Sequence, residues 1–297
     1  MAWFTTGAVE EFLAEAADFL RAEPARNTVI LSVTENLRAR AASGPAGTRT
    51  SDEPLLGWWR PGPAGNPGAV GGAFLHTPGY PVMLTETSGE AVTGLAGELA
   101  AAGRRISGLN AEARAAAAFA EAWRQRTGAA ATLHRLMRLY RLGTLVRPYP
   151  RPEGRPRVAD ERDRDLLIEW SGAFLREVGD EAHGLAAAVD ERLGYGGLTV
   201  WEVAGTPVSM AGITRMVHAM ARVGSVYTPL ELRGRGYAGG ATAAVSQAAL
   251  DAGVAEVVLY TDLANPTSNA LYERLGYRPV EDRTELSFAP APARGAR

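Results

Sequence analysis

Residues 226–277 read VYTPLELRGRGYAGGATAAVSQAALDAGVAEVVLYTDLANPTSNALYERLGY. An apolar run that ends at Val226 is followed by Arg233-Gly234-Arg235-Gly236-Tyr237-Ala238 and then by an alanine-rich segment. This order predicts a strand, a glycine-rich turn and a helix. The first N–H groups of such a helix have no acceptor within it and lie at the positive end of its dipole. The turn is therefore a candidate binding site for a diphosphate group.

The glycines of this turn have a physical role. A side chain at Gly234 or Gly236 would keep a phosphate group away from the amides and would penalise unusual φ angles. Arg233 and Arg235 add positive charge beside them. Glycines also occur in ordinary connections between strands and helices. By itself, the turn is therefore consistent with a phosphate site and with a simple connection.

A second motif follows the turn, and the two together resemble a known signature. Asn265, Tyr272 and Gly276-Tyr277 occur in order after a second apolar run. The pair of motifs resembles the GNAT superfamily of acyl-CoA-dependent N-acyltransferases, in which Arg/Gln-x-x-Gly-x-Gly/Ala follows the fourth strand. The sequence of both motifs is most similar to a bacterial subgroup of this superfamily, in which a degenerate copy of the fold precedes an active one. That subgroup usually has Thr-Pro-Pro where this chain has Thr228-Pro229-Leu230.

The resemblance implies an α/β fold of the α+β type, built as a tandem GNAT fold. Each half would have a mixed, mostly antiparallel central sheet flanked by helices. The implied divisions are a degenerate GNAT-like domain at 1–147, a linker at 148–157, a catalytic GNAT N-acetyltransferase domain at 158–288 and a flexible tail at 289–297. The first half has no equivalent of the glycine-rich turn, since Gly68–Gly72 precedes a strand-like run, and it is not expected to bind acyl-CoA.

Hydrophobic periodicity and turn residues predict the elements in each half. In the first half we expect helices near 9–20, 24–40, 91–102 and 111–125, with a short strand between the last two. We also expect strands at 55–60 and 69–75, and one or two strands within 132–146. In the second half we expect a helix near 166–175, a hairpin of 198–203 and 208–214, and strands at 221–228, 256–261 and 284–288. One helix is expected between 221–228 and 256–261, after the glycine-rich turn, and another between 256–261 and 284–288.

The resemblance also implies the residues of the site. Tyr272 would be the acid that protonates the leaving thiolate, and its ordinary pKa near 10 keeps it protonated at neutral pH. Acetyl-CoA would be the co-substrate, with the pantetheine arm paired to the backbone of the fourth strand. The implied contacts with it are Val226, Tyr227, Thr228, Arg233, Gly234, Arg235, Gly236, Tyr237, Ala238, Gly239, Asn265 and Asn269. For Asn265 a helix cap is an alternative role, because Pro266 follows it.

The general base is less defined by the sequence. Glu231 is the acid nearest to the predicted fourth strand and is the candidate, with a water relay as the alternative. His218 is a further candidate because of its titration range. His76, His134 and His183 are scattered without the spacing of metal ligands, so no metal is expected.

Composition bounds the function classes. The chain has 297 residues, of which 46% are hydrophobic and 22% charged, and this length suits two domains. A net charge of −2 and a pI near 6.2 argue against a nucleic-acid partner. The absence of cysteine excludes disulfides and a cysteine acyl-enzyme. No secretory signal or membrane span is predicted, and we expect a cytoplasmic monomer or homodimer.

The function expected from these motifs is transfer of an acetyl group from acetyl-CoA to a primary amine of a small molecule or amino acid, by direct attack. Two alternatives stay open at this level. One is an N-acyltransferase that uses a longer acyl-CoA or a peptide amine. The other is a non-catalytic sensor or scaffold that binds CoA.

Overall fold

A computed structural model of the chain describes residues 2–43, 53–62, 68–180 and 184–289. The strands are β1 (Ala2–Thr6), β2 (Leu55–Arg60), β3 (Gly72–His76), β4 (Val82–Leu84), β5 (Gly108–Ala111), β6 (Ala131–Leu142), β7 (Arg155–Val158), β8 (Leu198–Val203), β9 (Thr206–Ile213), β10 (Met220–Tyr227), β11 (Glu256–Asp262) and β12 (Tyr277–Phe288). The helices are α1 (Val9–Ala22), α2 (Thr28–Ser43), α3 (Gly89–Ala101), α4 (Ala113–Thr127), α5 (Arg164–Val178), α6 (Leu185–Gly194), α7 (Tyr237–Asp251) and α8 (Pro266–Arg274).

The chain divides into two units. The first contains residues 1–138, 262–264 and 281–297, and the second contains 139–261 and 265–280. In the first unit, β1 to β4 are joined in antiparallel order, β4 and β5 are parallel, and β5 pairs with the C-terminal part of β12 in antiparallel fashion. Its core gathers around Phe74, Leu95, Leu109 and Phe119.

The second unit has the same kind of sheet. β7, β8, β9 and β10 are joined in antiparallel order, and β10 and β11 are parallel. One core cluster joins α7 to one face of this sheet, with Ala241, Val245, Val257 and Leu259 among its buried members. A second cluster joins α5 and α6 to the other face. Alternation along each strand explains this division, since successive side chains point to opposite faces.

The same order of elements occurs twice along the chain. One strand, two helices, three strands, a helix, a strand, a helix and a strand run from β1 to β6 and again from β7 to β12. The expected fold class is confirmed: the chain is a mixed α/β protein with mostly antiparallel strands flanked by helices. None of the described helices is long and apolar enough to cross a membrane.

The structure adds elements that the periodicity did not predict. These are β1, β4, β7, α6 and the first part of β12, whose expected range began only at 284. The strand expected at 69–75 begins at Gly72, and the helix expected from Pro24 begins at Thr28. β7 is short and carries two arginines, so no apolar alternation marks it. Arg155 and Arg157 instead form ion pairs with Glu202 of β8.

The observed units also draw boundaries other than the expected ones. The first expected domain ended at 147, whereas residues 139–147 belong to the second unit. Residues 155–157 of the expected linker lie in β7. Residues 281–288, expected in the catalytic domain, belong to the first unit, where β12 pairs with β5. Of the expected tail, residues 290–297 lie outside the described part of the chain.

Candidate active site

The site begins where the two parallel strands of the second unit separate. β10 pairs with β11 from Met220↔Glu256 to Val223↔Leu259, and within the described residues this pairing ends at Val223. β10 continues to Tyr227 and β11 to Asp262. The ends of both strands therefore diverge at one edge of the sheet. Such an opening leaves strand edges that can pair with an extended ligand.

A bulge shapes the free end of β10. The register with β9 shifts between Gly224 and Tyr227, and Ser225 has a φ of 55°. Ser209 of β9 fixes the end of the bulge: its Oγ donates to the carbonyl oxygen of Tyr227 at 2.9 Å and lies 2.8 Å from Oγ1 of Thr228. The predicted pantetheine contacts Val226, Tyr227 and Thr228 thus lie together at the strand separation.

The glycine-rich turn opens α7 as the sequence predicted. Gly234 and Gly236 have φ angles of 77° and 80°, a region that favours glycine. Gly236 is the N-cap of α7, and no side chain caps this helix. The first hydrogen bond of the helix runs from N–H of Gly240 to the carbonyl oxygen of Gly236 at 3.0 Å. The N–H groups of Tyr237, Ala238 and Gly239 therefore have no intrahelical acceptor, and an anion can accept from them.

The two arginines of the turn differ in their contacts. Arg233 donates from Nε to the carbonyl oxygen of Thr228 at 2.9 Å, and its Nη2 lies 2.6 and 2.7 Å from the carboxylate oxygens of Glu177 on α5. Arg233 thus ties the turn to the end of β10 and to α5, a role that its sequence position did not reveal. Arg235 is exposed, and its side chain reaches only the carbonyl oxygen of Glu231, at 3.5 Å.

The start of α8 lies after the C-terminal end of β11, at the same edge of the sheet as the turn. Asn265 is its N-cap, because Oδ1 accepts from N–H of Ser268 at 3.0 Å, and Pro266 occupies the first turn. The capping role proposed for Asn265 is confirmed. Asn269 donates from Nδ2 to the carbonyl oxygen of Asn265 at 2.7 Å and accepts from the Tyr140 hydroxyl at 3.0 Å. Both asparagines are thus held in position.

Tyr272 lies two turns further along α8 and is buried. Its ring meets the ring of Tyr277 edge to face, with centroids 6.1 Å apart. Burial raises its pKa to about 12. Its hydroxyl makes no hydrogen bond with any described residue, whereas the Tyr277 hydroxyl lies 2.7 Å from Oγ of Ser246. Of these two tyrosines, Tyr272 is the one whose hydroxyl is available to a bound molecule.

The candidate bases lie in different places. Glu231 is exposed in the short 3-10 helix Leu230–Leu232 just before the turn. His218 lies in a tight turn with Ala219 before the first residue of β10, whereas the strand separation opens at the other end of β10. About six residues at roughly 3.3 Å each separate His218 from Gly224, so His218 is too distant to be the base.

The other predicted histidines have separate positions. His76 is buried in the first unit, where its Nδ1 accepts from Nε of Arg104 at 3.0 Å. Burial first, and then the charge of Arg104, lower its pKa to about 4. His76 is therefore neutral at neutral pH and has a structural role. His134 lies on β6, and His183 lies outside the described residues.

The corresponding place in the first unit is built differently. α3 follows β4 as α7 follows β10, but its N-cap is Ser88, whose Oγ accepts from N–H of Ala91 at 3.2 Å. The first turn of α3 also contains Glu90, whereas the first turn of α7 contains no acid. A capped N-terminus with a carboxylate beside it disfavours a phosphate group, since like charges repel.

Comparison with known proteins agrees with this geometry. Residues 146–277, less than half of the chain, match the model of the acetyltransferase (GNAT) family. The match includes the strand separation, the glycine-rich turn and α8. A comparison with curated protein sequences gave no significant match.

Solved structures resemble the whole chain in fold. A Drosophila protein has a TM-score of 0.67 at 13% identity, covering 98% of this chain and 99% of its own. A GCN5-related N-acetyltransferase from Sphaerobacter thermophilus has a TM-score of 0.62 at 15% identity, covering 98% and 96%. A GNAT-family acetyltransferase from Colwellia psychrerythraea has a TM-score of 0.58 at 11% identity, covering 97% and 100%. Residues 146–277 thus match the GNAT acetyltransferase family, and the protein is an acyltransferase.

Proposed function

We propose that the second unit transfers an acetyl group from acetyl-CoA to a primary amine of a small molecule or amino acid. The single observation that supports this most is the uncapped α7 N-terminus beyond the end of β10, combined with a Tyr272 hydroxyl that makes no hydrogen bond with any described residue. Acetyl-CoA is the acyl donor in the GNAT family, and it supplies the acetyl group as a thioester. The residues present fit it: the uncapped amides of α7 would donate to its diphosphate, and the free edge of β10 would pair with its pantetheine arm.

The reaction needs two proton transfers and no covalent enzyme intermediate. The C–N bond of an amide forms while the C–S bond of the thioester breaks, so the amine loses one proton and the thiolate gains one. Tyr272 stabilises the leaving sulfur by donating a hydrogen bond from its phenol. With a pKa of about 12, the phenol is a weaker acid than a thiol with an ordinary pKa near 8.5. Hydrogen bonding to the sulfur is therefore its main role, and the proton that completes the thiol comes ultimately from solvent.

For the other proton, we propose a water relay rather than direct transfer to Glu231. Glu231 is exposed beside the turn that would bind the diphosphate, whereas the reacting carbonyl would lie back along β10. We expect Glu231→Gln to change kcat/KM by less than about threefold, as for a residue outside the reaction, measured by thiol release. A loss of about 100-fold with disappearance of the acidic limb of the pH profile would instead identify Glu231 as the base.

The test of the function is direct. The purified protein is mixed with acetyl-CoA and a broad panel of primary amines, and thiol release is measured together with the mass of the product. We expect turnover with at least one amine and a product heavier by one acetyl group. Competition between acetyl-CoA and longer acyl-CoAs identifies the preferred acyl length, and inclusion of short peptides tests a peptide amine. Silence across the whole panel would contradict the proposal.

We also propose that the first half is a degenerate copy of the same fold that has lost acyl-CoA binding. The repeated order of elements supports a tandem arrangement. The Ser88 cap and Glu90 at the start of α3 support the loss of the phosphate site. Calorimetric titration with CoA is expected to give one binding site per chain, and two sites would contradict this proposal.

A further inference from the structure

Arg222, the third residue of β10, is a half-buried cation without an anion among the described residues. Its Nη1 is enclosed and has no hydrogen-bond partner among the described residues. Burial first, and repulsion from Arg192 as well, hold the pKa of its guanidinium below its ordinary value. Within the described part of the chain, no carboxylate lies within ion-pair distance of it. An unpaired buried charge is costly, and structures retain one where a ligand supplies the partner.

The groups around Arg222 are cations and hydroxyls. The register Arg222↔Val258 places Tyr260, two residues beyond Val258, on the same sheet face as Arg222. Tyr195, at the end of α6, is also near Arg222, and its hydroxyl donates to the carbonyl oxygen of Ile213 at 2.8 Å. The guanidinium of Arg215 lies 4.2 Å from the centre of the Tyr195 ring. Arg192 also lies near Arg222, so this part of the second unit holds three arginines, with Glu191 as the acid beside Tyr195.

Open space lies next to Arg222, on the face of β10 that carries its side chain. Gly224 follows two residues later on the same face of β10, is exposed, and would accept a Cβ without meeting any atom within 4 Å. The pairing of β10 with β11 ends between these two residues, at Val223. Arg222 thus lies at the start of the strand separation, on the face that carries α5 and α6 rather than α7.

The position of Arg222 argues against a role in binding the nucleotide. The amides that face a diphosphate belong to Tyr237, Ala238 and Gly239, beyond the C-terminal end of β10. Arg222 lies toward the other end of β10, five residues before Tyr227. A donor held by the turn and extended along the separated strand would present its acyl group toward Arg222. The anion that Arg222 lacks is then part of the acceptor.

We propose that Arg222 binds a carboxylate of the acyl acceptor, so that the substrate is a small amine that carries a carboxylate close to the amino group, as in an α-amino acid. This inference rests on the proposed function. The amine would attack the thioester carbonyl while its carboxylate stays ionised and paired with the guanidinium, a charge-assisted and frequently bidentate contact. A peptide N-terminus lacks a carboxylate at that distance and would leave Arg222 unpaired.

The first experiment needs no variant. kcat/KM is measured by thiol release for a panel of amino acids and for the matching carboxamides, which differ only in the charge of the carboxyl group. We expect the best amino acid to exceed its carboxamide by about 10- to 100-fold, the range of a hydrogen-bonded charge contact. The amino group of a carboxamide is less basic and more of it is neutral at a given pH. A preference for the carboxylate therefore runs against intrinsic reactivity.

The second experiment tests whether Arg222 causes the preference for a carboxylate. In Arg222→Gln the ratio between amino acid and carboxamide is expected to fall to within about threefold, mainly through a higher KM for the amino acid, while CoA affinity stays unchanged. Because the guanidinium is unpaired in the free protein, we expect no fall in Tm. The matched control is Arg278→Gln, at an exposed position of β12 in the same unit, which should keep the full preference.

The outcomes separate the two proposals. If acetyl-CoA is consumed with amines but wild-type protein uses carboxamides as well as amino acids, the carboxylate site is wrong and the acetyltransferase function stands. If the preference exists but persists in folded Arg222→Gln, the assignment to Arg222 is wrong. If no amine is acetylated at all, the proposed function itself fails. Should Arg222→Gln not fold, the wild-type comparison alone decides.

Discussion

Tyr272→Phe is expected to lower kcat by about 100-fold or more while CoA affinity changes little. Donation of a hydrogen bond to a leaving group contributes about this factor to catalysis. The substitution removes one hydroxyl that has no hydrogen-bond partner among the described residues, so packing against Tyr277 is retained. Thiol release measures kcat, and calorimetry measures CoA binding. Unchanged kcat in Tyr272→Phe would remove Tyr272 from the reaction.

The matched control is Tyr277→Phe. This change also removes a buried phenol oxygen, but that oxygen lies 2.7 Å from Oγ of Ser246. We expect Tyr277→Phe to lower the free energy of unfolding by about 1 kcal/mol and to leave kcat within about threefold. The opposite pattern, in which Tyr277→Phe loses turnover and Tyr272→Phe loses only stability, would contradict the assignment.

The raised pKa of Tyr272 predicts how kcat depends on pH at alkaline pH. The phenol acts in its protonated form, so its activity is lost only as pH rises through its pKa. At an ordinary pKa of 10, about half of the phenol would be ionised at pH 10, whereas at a pKa of about 12 only about one part in a hundred is ionised. The kcat of the wild-type protein is therefore expected to show no alkaline limb from Tyr272 below about pH 11.

Gly276→Ala is expected to destabilise the protein by about 3 kcal/mol or more. Gly276 connects α8 to β12 with a φ of 97°, and an added Cβ would overlap the carbonyl oxygen of Thr144. Two backbone hydrogen bonds hold the contact between these segments: Gly143 N–H to the Gly276 carbonyl oxygen at 3.0 Å, and Val146 N–H to the Leu275 carbonyl oxygen at 2.9 Å. Backbone strain and a clash with backbone are among the changes with the largest costs.

Gly253→Ala separates the two causes. Gly253 has a similar φ of 87°, but a Cβ there would meet nothing within 4 Å. Its substitution is expected to cost about 1 kcal/mol from the left-handed conformation alone. Chemical denaturation measures both variants. If the two glycines cost the same, the contact with Thr144 carries no weight and only the conformation matters.

The roles of some glycines can be predicted from the sequence, and the role of Gly276 cannot. Gly234 and Gly236 were predicted as turn residues because they stand between a β-rich run and an alanine-rich segment, and both have positive φ. Gly276 was recognised only as part of a motif. Its physical reason is the carbonyl group of Thr144, more than a hundred residues earlier in the chain. No local pattern can reveal such a contact, since proximity arises only when the chain folds.

The charged residues show the same limit. Arg233 was predicted to add positive charge for a phosphate, and its contact with Glu177 links it to α5. Arg222 is one charge inside an apolar strand, a signal that can flag a buried or functional cation but cannot name its neighbours. Tyr195 and Tyr260 come from two other parts of the unit, and only the packing of these parts on one face brings them to Arg222.

The sequence by itself determined the order of strand, glycine turn and helix, the cap at Asn265 and the position of Tyr272 on α8, because each depends on residues within about four positions or on one helical period. The tertiary structure alone decided that β12 completes the sheet of the first unit, that the Tyr272 hydroxyl has no hydrogen-bond partner among the described residues, and that the enclosed Nη1 of Arg222 has none there either. Those facts depend on which distant segments exclude water from a side chain and which polar groups they bring with them.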